Sequence, residues 1–344
     1  MGEAVSVALV GAGYWGGKLL PKFLAAPDCS VKTVCDLHAR LRAEVEKAFP
    51  GLYATASYAD VLGDANIGAV VLATPPATHF ALAKKALEAG KHLWIEKPMA
   101  MRFEEGRTLL RLAQTKGSVL FVDHTFLYDP AIRMIRDFID RGELGDIYHV
   151  FSQRLNLGRI KRDSNVWWNS APHDASIALY LLPGRPVSVA VHGYRYLQPH
   201  LEDLNVAVLD MSDGISAFIY HNWLYPENTA KITVVGSRRM AVYEGKFDKR
   251  ALSVYEYEVE RPAAGAEPDP DLPTTIPSRI IGERRIQGIE AKEPLALAIN
   301  DFLESIRQGR PPLSDGEFSL KVLAVLEAGE RSLRSGGAKT AVPV

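Results

Sequence analysis

Residues 5–16 read VSVALVGAGYWG, an apolar run that passes directly into a glycine-rich turn. The run predicts a buried strand, and its glycines have the G-x-G-x-x-G spacing of a strand-loop-helix unit that holds a dinucleotide. In that unit Gly11 permits the tight turn, Gly13 lets a pyrophosphate approach the backbone, and Gly16 lets the helix pack on the sheet. The free N–H groups at the start of the helix would then face the phosphates. The stretch predicts an α/β domain of the Rossmann type.

A carboxylate follows the next predicted strand, where such a domain binds the adenosine ribose. The run SVKTVC at 30–35 predicts that strand, and Asp36 comes 20 residues after Gly16. A carboxylate in this position accepts hydrogen bonds from the ribose hydroxyls and repels a 2′-phosphate. The sequence therefore predicts NAD as the cofactor. NADP is the weaker alternative, with Arg40 as a nearby residue that could tolerate the phosphate.

Short apolar runs and helical patterns alternate as far as residue 122. Further strands are predicted at 68–73, 92–95 and 118–122, each preceded by a helix-like segment. This alternation predicts a parallel sheet that is covered by helices on both faces. Residues 1–122 are therefore predicted to form a dinucleotide-binding domain with five strands.

The rest of the chain has a different pattern. Strand-like segments with alternating apolar residues follow one another between turns, which predicts a largely antiparallel sheet. Helices are predicted at 130–141, at 172–182 and near the end of the chain, and the proline-rich segment 261–278 is predicted to be an exposed loop. Residues 123–344 are thus predicted to form an α+β domain with a large, open, mostly antiparallel sheet.

Composition argues against several classes of protein. The chain has 344 residues, of which 47% are hydrophobic and 24% charged, with a formal net charge of −1. This balance argues against nucleic acid as the main partner, because phosphate binding needs a basic face, and against an electrostatic membrane anchor. The apolar runs fall short of the roughly 18 residues that a membrane span needs.

The cysteines and the N-terminus bear on the compartment. Cys29 and Cys35 fit small core residues in a reducing environment better than a disulfide or a metal site. The N-terminal residues lack the basic start of a signal peptide. The expected location is the cytoplasm.

Two more loops end strands of the predicted parallel sheet. ATPPATH (73–79) could line the ribose and nicotinamide side of the cofactor, or be an ordinary loop. WIEKPMA (94–100) places Glu96 and Lys97 at the edge where α/β sheets bind ligands, and Pro98 restricts the backbone there. Lys97 could polarise a substrate hydroxyl. From the residues alone, a surface ion pair is an equally good interpretation.

GAGYWG, ATPPATH and EKP together resemble the motifs of the glucose–fructose oxidoreductase / inositol dehydrogenase (Gfo/Idh/MocA) family. The resemblance covers nearly the whole chain and includes GELGDI at 142–147 and a closing DG…LEAGERSL pattern at 315–333. It implies that Lys97 is catalytic. The family also carries an Asp-x-x-x-His pair at the start of a helix, where the histidine is the acid/base. Here Asn169 stands in the aspartate position and His173 in the histidine position, and because an amide cannot stabilise an imidazolium by charge, acid/base work shifts toward Lys97.

The segment 153–174 resembles a branch of the family that acts on nucleotide-linked sugars, such as the UDP-N-acetylglucosamine-type 3-dehydrogenases. Its cations and amides would bind a diphosphate and sugar hydroxyls. The substrate contacts that this resemblance implies are Lys97, Arg154, Asn156, Arg159, Asn165 and His173. A free sugar or a cyclitol is the alternative substrate. In a purely structural interpretation of the segment, its charged residues lie on an exposed sheet edge and bind no substrate.

The resemblance implies an NAD-dependent oxidoreductase that works on a secondary alcohol, at C3 of a sugar, with Lys97 or His173 taking the hydroxyl proton. The same groups would serve the reduction of a keto sugar in the reverse direction. A non-catalytic NAD sensor is the distant alternative, because Asn169 replaces the aspartate of the family's catalytic pair. No metal is predicted. The family's open sheet commonly packs against another subunit, so the resemblance implies a homodimer or homotetramer; the sequence itself shows only alternating apolar strands that need a cover.

The predicted site thus has a catalytic set and a cofactor set. The catalytic residues are Lys97, Asn169 and His173. The predicted cofactor contacts are Gly11, Ala12, Gly13, Tyr14, Trp15, Gly16, Asp36, Arg40, Thr74, Pro75, His79, Glu96, Lys97 and Trp168.

Overall fold

Two sheets organise the chain in a computed structural model. The model describes residues 4–158, 160–245, 250–260, 275–289 and 291–343. Within these ranges, no helix is long and apolar enough to cross a bilayer.

The first sheet has six parallel strands in the order β3-β2-β1-β4-β5-β6. The strands are β1 (Val5–Val10), β2 (Cys29–Cys35), β3 (Tyr53–Thr55), β4 (Ala69–Leu72), β5 (His92–Ile95) and β6 (Leu120–Val122). The helices between them are α1 (Gly16–Ala25), α2 (Ala39–Ala48), α3 (Tyr58–Gly63), α4 (Pro76–Glu88) and α5 (Phe103–Lys116). The predicted Rossmann architecture is confirmed, and the strand order reverses between β1 and β4, where such sheets bind their ligands.

The sequence prediction missed one strand and one helix of this sheet. Strand β3 has only three residues and lies at the edge of the sheet, so it carries no buried apolar run. Helix α3 has six residues and is capped by Ser57, whose side chain accepts a hydrogen bond from the Asp60 amide. Elements this short leave too few periodic positions for a pattern to be read.

The second sheet has nine strands in the order β14-β13-β12-β11-β7-β10-β9-β8-β15. Its pairs are antiparallel except β7 with β10, which confirms the predicted mostly antiparallel sheet. The strands are β7 (Ile147–Leu155), β8 (Pro186–Tyr194), β9 (Leu204–Met211), β10 (Ser216–Asn222), β11 (Thr229–Gly236), β12 (Arg239–Glu244), β13 (Ala251–Val259), β14 (Ser278–Arg285) and β15 (Thr340–Ala341). Residues 261–274 of the predicted proline-rich loop lie outside the described ranges.

Four more helices follow a short 3₁₀ helix at Thr125–Tyr128. They are α6 (Pro130–Asp140), α7 (Val166–Leu181), α8 (Pro294–Gln308) and α9 (Gly316–Arg334). Helices α6, α7 and α9 pack against the second sheet, whereas α8, although it belongs to the closing part of the chain, packs on the first sheet. There Phe302 meets the edge of Trp94 at a ring distance of 5.7 Å, and Trp94 stacks on Phe121 at 4.2 Å. The domain boundary at residue 122 stays a prediction.

Helix α7 begins earlier than predicted. The sequence pattern indicated a helix from residue 172, but the helix starts at Val166, because the Asn165 side chain caps it by accepting a hydrogen bond from the Trp168 amide. Pro172 lies inside the helix. His173 is therefore a mid-helix residue, one turn beyond Asn169 and on the same face.

Candidate active site

Four loops meet at the carboxyl ends of the first sheet's central strands. They follow β1, β4, β5 and β6 and begin at Gly11, Ala73, Glu96 and Asp123. Since all these strands are parallel, the four loops share one edge, and helix α7 of the second sheet faces that edge through the Lys97–Asn169 contact. The site lies in the cleft between them.

The glycine turn has the geometry that a dinucleotide requires. Gly11 has a φ of 93°, and a Cβ there would lie 2.8 Å from the Ala73 carbonyl oxygen. A Cβ on Gly16 would lie 1.8 Å from the Gly11 carbonyl oxygen, so the helix could not approach the turn. A Cβ on Gly13 would meet nothing within 4 Å, which leaves the backbone open to a ligand. The turn fits a pyrophosphate placed at the start of α1.

Asp36 fastens this turn from the neighbouring strand. Its carboxylate accepts hydrogen bonds from the Ala12 amide at 2.7 Å and from the His38 amide at 2.8 Å. Arg40 is exposed and pairs with Glu44 at 3.1 Å. The structure therefore brings the carboxylate to the turn, as the sequence predicted, while Arg40 makes its ion pair along its own helix.

A cavity of about 340 Å³ lies on the cofactor side of the cleft. Lys97, from the loop after β5, and Asn169, from helix α7, both line it. Trp168 also lines it and donates its indole N–H to Glu330 at 3.1 Å. The predicted cofactor residues among its lining are Trp15, Thr74, Pro75, His79, Glu96, Lys97 and Trp168.

His79 holds two of the loops together. Its ring is fully buried, with Nδ1 2.8 Å from the Pro98 carbonyl oxygen and Nε2 2.8 Å from the Thr74 carbonyl oxygen. Both nitrogens are engaged by the protein, so the side chain positions the loops that surround the cofactor. The sequence predicted a cofactor contact for His79 as the last residue of ATPPATH, and that contact stays a prediction.

A larger cavity of about 680 Å³ lies on the substrate side. Trp15, Lys97, Lys161 and Asn169 line both cavities, so the two cavities adjoin at these residues. Predicted residues among its lining are Tyr14, Trp15, Lys97, Arg154, Asn156, Asn169 and His173.

Lys97 lies at the junction of the two cavities. Its ammonium donates a hydrogen bond to the backbone carbonyl of Asn169 at 2.8 Å. Burial lowers the pKa of Lys97 to about 8, against the opposing effect of Glu96. The amine is thus mostly protonated at neutral pH and still close to its titration range, as a group that stabilises a developing alkoxide should be.

His173 faces the same cavity in its neutral form. Burial, together with the charges of Lys97 and Arg154, holds its pKa well below the ordinary value. Its Nδ1 has no hydrogen-bond partner among the described residues, and its ring packs edge-on against Phe126 at 5.0 Å. The side chain of Asn169 lies 3.5 Å from the Ser170 hydroxyl. No carboxylate among the described residues bonds the imidazole, which agrees with the substitution noted at position 169.

Arg154 is held rigidly by a buried carboxylate. Asp174 accepts hydrogen bonds from Arg154 Nε at 3.1 Å and Nη2 at 3.3 Å, and also from the Ser152 hydroxyl at 2.6 Å. The guanidinium lies 4.5 Å above the Phe126 ring. His221 Nε2 approaches the same carboxylate at 2.8 Å. Arg154 therefore presents a fixed positive charge to the substrate cavity.

The structure gives one predicted substrate residue, Asn165, a place within the protein's own hydrogen bonds. The Asn165 side chain is buried at the start of α7, where it caps the helix and donates to Glu202 at 2.9 Å and to Glu330 at 3.2 Å. It does not line either cavity. Arg159 lies outside the described residues. The partners of Asn165 come from distant parts of the chain, and its substrate contact stays a prediction.

Asp123 is the site residue that the sequence reasoning missed. It lines the substrate cavity and directly follows β6, as Lys97 follows β5 by two residues. Burial raises the pKa of its carboxyl to about 6. The signal was available, because a polar residue that ends a central parallel strand belongs to the ligand edge of the sheet.

Comparison with known proteins agrees with this geometry. The family model described as "Oxidoreductase family, NAD-binding Rossmann fold" matches residues 5–124, and the GFO/IDH/MocA C-terminal domain matches residues 132–242. An uncharacterised oxidoreductase of Escherichia coli, YdgJ, is 26% identical over 97% of this chain and 98% of its own. The UDP-N-acetylglucosamine 3-dehydrogenase of Acidithiobacillus ferrooxidans is 27% identical over 92% of this chain and 93% of its own.

Solved structures show the same fold over the whole chain. A crystal form of the Acidithiobacillus ferrooxidans enzyme has a TM-score of 0.78 at 25% identity, covering 97% of this chain and 98% of that one. The WlbA dehydrogenase from Bordetella pertussis, in complex with NADH and UDP-GlcNAcA, has a TM-score of 0.82 at 24% identity and covers 99% of both chains. The chain therefore belongs to the GFO/IDH/MocA oxidoreductase family, and its first domain is that family's NAD-binding Rossmann domain.

Proposed function

We propose that the protein moves hydride between NAD and a secondary alcohol of a sugar, and that the sugar is linked to a nucleotide. One observation carries the proposal: the Lys97 ammonium lies where the cofactor-side cavity meets the substrate cavity. A hydroxyl bound there would contact Lys97 while its carbon faces the cofactor.

The charges of the substrate cavity favour an anionic substrate. Lys18, Arg154 and Lys161 line it along with Lys97. Arg154 is fixed in place by Asp174, and a fixed guanidinium suits a phosphate or a carboxylate. The similarity to the UDP-N-acetylglucosamine 3-dehydrogenase supports a UDP-N-acetylglucosamine-type substrate that is oxidised at C3.

The residues divide the work as follows. Bound NAD supplies the hydride acceptor. Lys97 polarises the reacting hydroxyl and stabilises the alkoxide character that develops on its oxygen. His173 and Asn169 orient the sugar from α7, and Arg154 with Asn156 holds the distal anionic part. The same contacts serve the reduction of a keto sugar, because the groups that stabilise the transition state do so in both directions.

The first experiment is NADH formation with NAD and a panel of UDP-sugars, free sugars and inositols. We expect activity with a UDP-sugar and a loss of at least about 100-fold in kcat for Lys97→Ala, the size of effect known for removing one donor to a developing oxyanion. Asp137→Asn, which changes an exposed residue of α6 outside both cavities, is the control. Activity in Lys97→Ala equal to that of the control would overturn the proposed role.

A free-sugar or cyclitol dehydrogenase is the second candidate. One argument for it is the similarity to the scyllo-inositol 2-dehydrogenase (NAD(+)) of Bacillus subtilis, which is 24% identical over 80% of this chain. Another is that the Asn165 side chain caps helix α7 and is therefore not free to bind a nucleotide sugar. The same panel separates the candidates, since inositol turnover with no response to UDP-sugars would select the second. NAD binding without turnover of any compound in either direction would instead support an NAD sensor.

We also propose that the protein is a homodimer or homotetramer in the cytoplasm. The outer face of the second sheet carries exposed apolar side chains on neighbouring strands, including Phe151, Val206 and Phe218, and a second copy would bury them. The thiols of Cys29 and Cys35 are free, as in a reducing compartment. Light scattering of the purified protein, and of Phe218→Lys, tests the assembly.

A further inference from the structure

Two carboxyl groups interact with Lys97. Glu96 follows β5 and Asp123 follows β6, and the two residues are 7% and 4% exposed. The Asp123 amide donates a hydrogen bond to the Ile95 carbonyl oxygen at 2.8 Å, next to Glu96, and Asp123 Oδ1 accepts one from the Thr125 hydroxyl at 2.5 Å. Burial and the neighbouring Asp123 raise the pKa of Glu96 well above its ordinary value. Near neutral pH the pair therefore holds one proton, on Glu96, and one negative charge, on Asp123.

The pair connects the two cavities. Asp123 lines the substrate cavity and Glu96 lines the cofactor-side cavity. Lys97 lines both cavities and interacts electrostatically with both carboxyls. A proton that arrives on Asp123 thus has a partner through which it can leave toward the cofactor-side cavity.

The other candidate bases are less suited to accept a proton. Lys97 is protonated at neutral pH and already donates to the Asn169 carbonyl oxygen. His173 lies near the positive charges of Lys97 and Arg154, which oppose the formation of an imidazolium. Two carboxylates line the substrate cavity among the described residues, and Glu293 is paired with Lys22 at 2.5 Å. Asp123 is therefore the carboxylate best placed to accept a proton next to Lys97.

We propose that Asp123 is the general base of the reaction and that Glu96 is its proton partner. This inference rests on the proposed sugar oxidation. The substrate O–H bond breaks and an O–H bond forms on Asp123, while the C–H electron pair leaves as hydride to the cofactor and the carbonyl forms. Glu96 releases its own proton to solvent in the cofactor-side cavity and takes up the one on Asp123. Lys97 keeps its protons and stabilises the alkoxide.

The charged groups around Asp123 define the expected pH dependence. Glu96 and Lys97 approach it from the β5 loop, and His124 and Thr125 from its own loop. Across the cavity stand Arg154, Lys161 and His173. Burial raises the pKa of Asp123 to about 6, against the opposing effects of Thr125, Glu96 and Lys97. Burial lowers the pKa of Lys97 to about 8, against the opposing effect of Glu96. Because the base must be ionised and the lysine protonated, kcat should rise through the lower value and fall through the upper one.

Two substitutions test the assignment. Asp123→Asn should lower kcat by about 100-fold or more, the usual contribution of a general base, while the affinity for NAD stays within about 2-fold. Thr125→Val removes the hydrogen bond that stabilises the Asp123 carboxylate, so the acidic limb of the kcat profile should move to higher pH with the plateau retained within a few-fold. A residue that only shapes the cavity would change the plateau and leave the limb in place. Asp137→Asn is the matched carboxylate-to-amide control.

The outcomes separate this inference from the proposed function. If no sugar is turned over by the wild-type protein, the proposed function fails first. If the wild-type protein is active but Asp123→Asn keeps its kcat, or Thr125→Val leaves the acidic limb unmoved, the assignment of Asp123 is wrong. A readout without turnover is the infrared band of the protonated carboxyl in the ligand-free protein at neutral pH. It should disappear in Glu96→Gln and persist in Asp137→Asn, and its persistence in Glu96→Gln would refute the proton-sharing pair.

Discussion

Asp123 and Asp174 are both buried carboxylates of the same cleft, 4% and 1% exposed, and their surroundings act on them in opposite directions. Burial raises the pKa of Asp123 to about 6. Burial acts on Asp174 in the same sense, but Arg154 and His221 outweigh it and hold the pKa of Asp174 well below its ordinary value. The difference lies in the number and charge of the donors around each group.

The comparison separates a residue that maintains structure from one that can do proton chemistry. Asp174 receives the Ser152 hydroxyl, the Arg154 guanidinium and the His221 ring, so both of its oxygens are bonded and neither faces the substrate cavity. Asp123 has a hydroxyl and a second carboxyl as partners, and it opens onto the cavity. A satisfied buried ion stays ionised, whereas a poorly compensated one titrates near neutral pH.

The largest expected effect is on stability, from Asp174→Ala. The change leaves the buried His221 and the partly buried Arg154, whose side chain is 21% exposed, without their carboxylate. Breaking a buried pair costs about 3–5 kcal/mol. Urea unfolding at neutral pH, compared with Asp137→Asn, measures it. An unchanged unfolding midpoint would show that Asp174 does not anchor this wall of the cleft.

Asp123→Asn should increase the stability of the ligand-free protein, in contrast to Asp174→Ala, and its advantage over wild type should grow as the pH rises. The folded pKa of Asp123 is raised to about 6 from an ordinary value of 3.8, so between these values the folded state holds more protons than the unfolded state. Stability therefore falls as the pH rises through this window, and the asparagine variant escapes that loss. We expect it to gain about 1–3 kcal/mol relative to wild type between about pH 4 and pH 7. Urea unfolding at both pH values tests this, and a variant that is equally destabilised at each would contradict it.

Substrate affinity should respond more modestly to a cation that the protein itself does not pair. Lys161 lines both cavities, and its ammonium makes no hydrogen bond or ion pair within the described ranges, unlike Arg154. Lys161→Met should raise the KM for a UDP-sugar by about 10-fold, the effect of one charge-assisted hydrogen bond, and leave stability unchanged. A free sugar lacks the diphosphate, so its KM should not move. Equal changes for both substrates would remove Lys161 from diphosphate binding.

The sequence predicted the parts of this site that depend on local chain geometry. GAGYWG, Asp36 and Lys97 are fixed by their places after β1, β2 and β5, and the structure puts them at one edge. The sequence could not predict the hydrogen bonds that a side chain makes with distant partners. Asn165 finds Glu202 and Glu330, and no local pattern could predict that.

His79 and Asp123 show the same limit within the first domain. The sequence placed His79 in the right loop, but its ring is turned inward to join two backbones. Asp123 lay one residue beyond the last predicted strand and was assigned to the start of the next domain, so its place at the ligand edge was overlooked. A strand pattern gives the edge of a sheet, and the direction in which each side chain points depends on packing.

The smallest expected effect concerns a third carboxylate, Asp36, and the cation near it in sequence. Both oxygens of Asp36 accept backbone amides, and Arg40 pairs with Glu44 on the exposed face of α2 instead. An exposed pair of this kind contributes about 0.3–0.5 kcal/mol, so Arg40→Ala should lower stability by no more than that. It should also leave the ratio of kcat/KM for NAD and NADP within about 2-fold, because the guanidinium does not face the ribose position. Initial rates with each cofactor measure this ratio. A several-fold loss of NADP use in Arg40→Ala would show that the arginine turns toward a 2′-phosphate, and the carboxylate at Asp36 would then no longer be the sole determinant of cofactor choice.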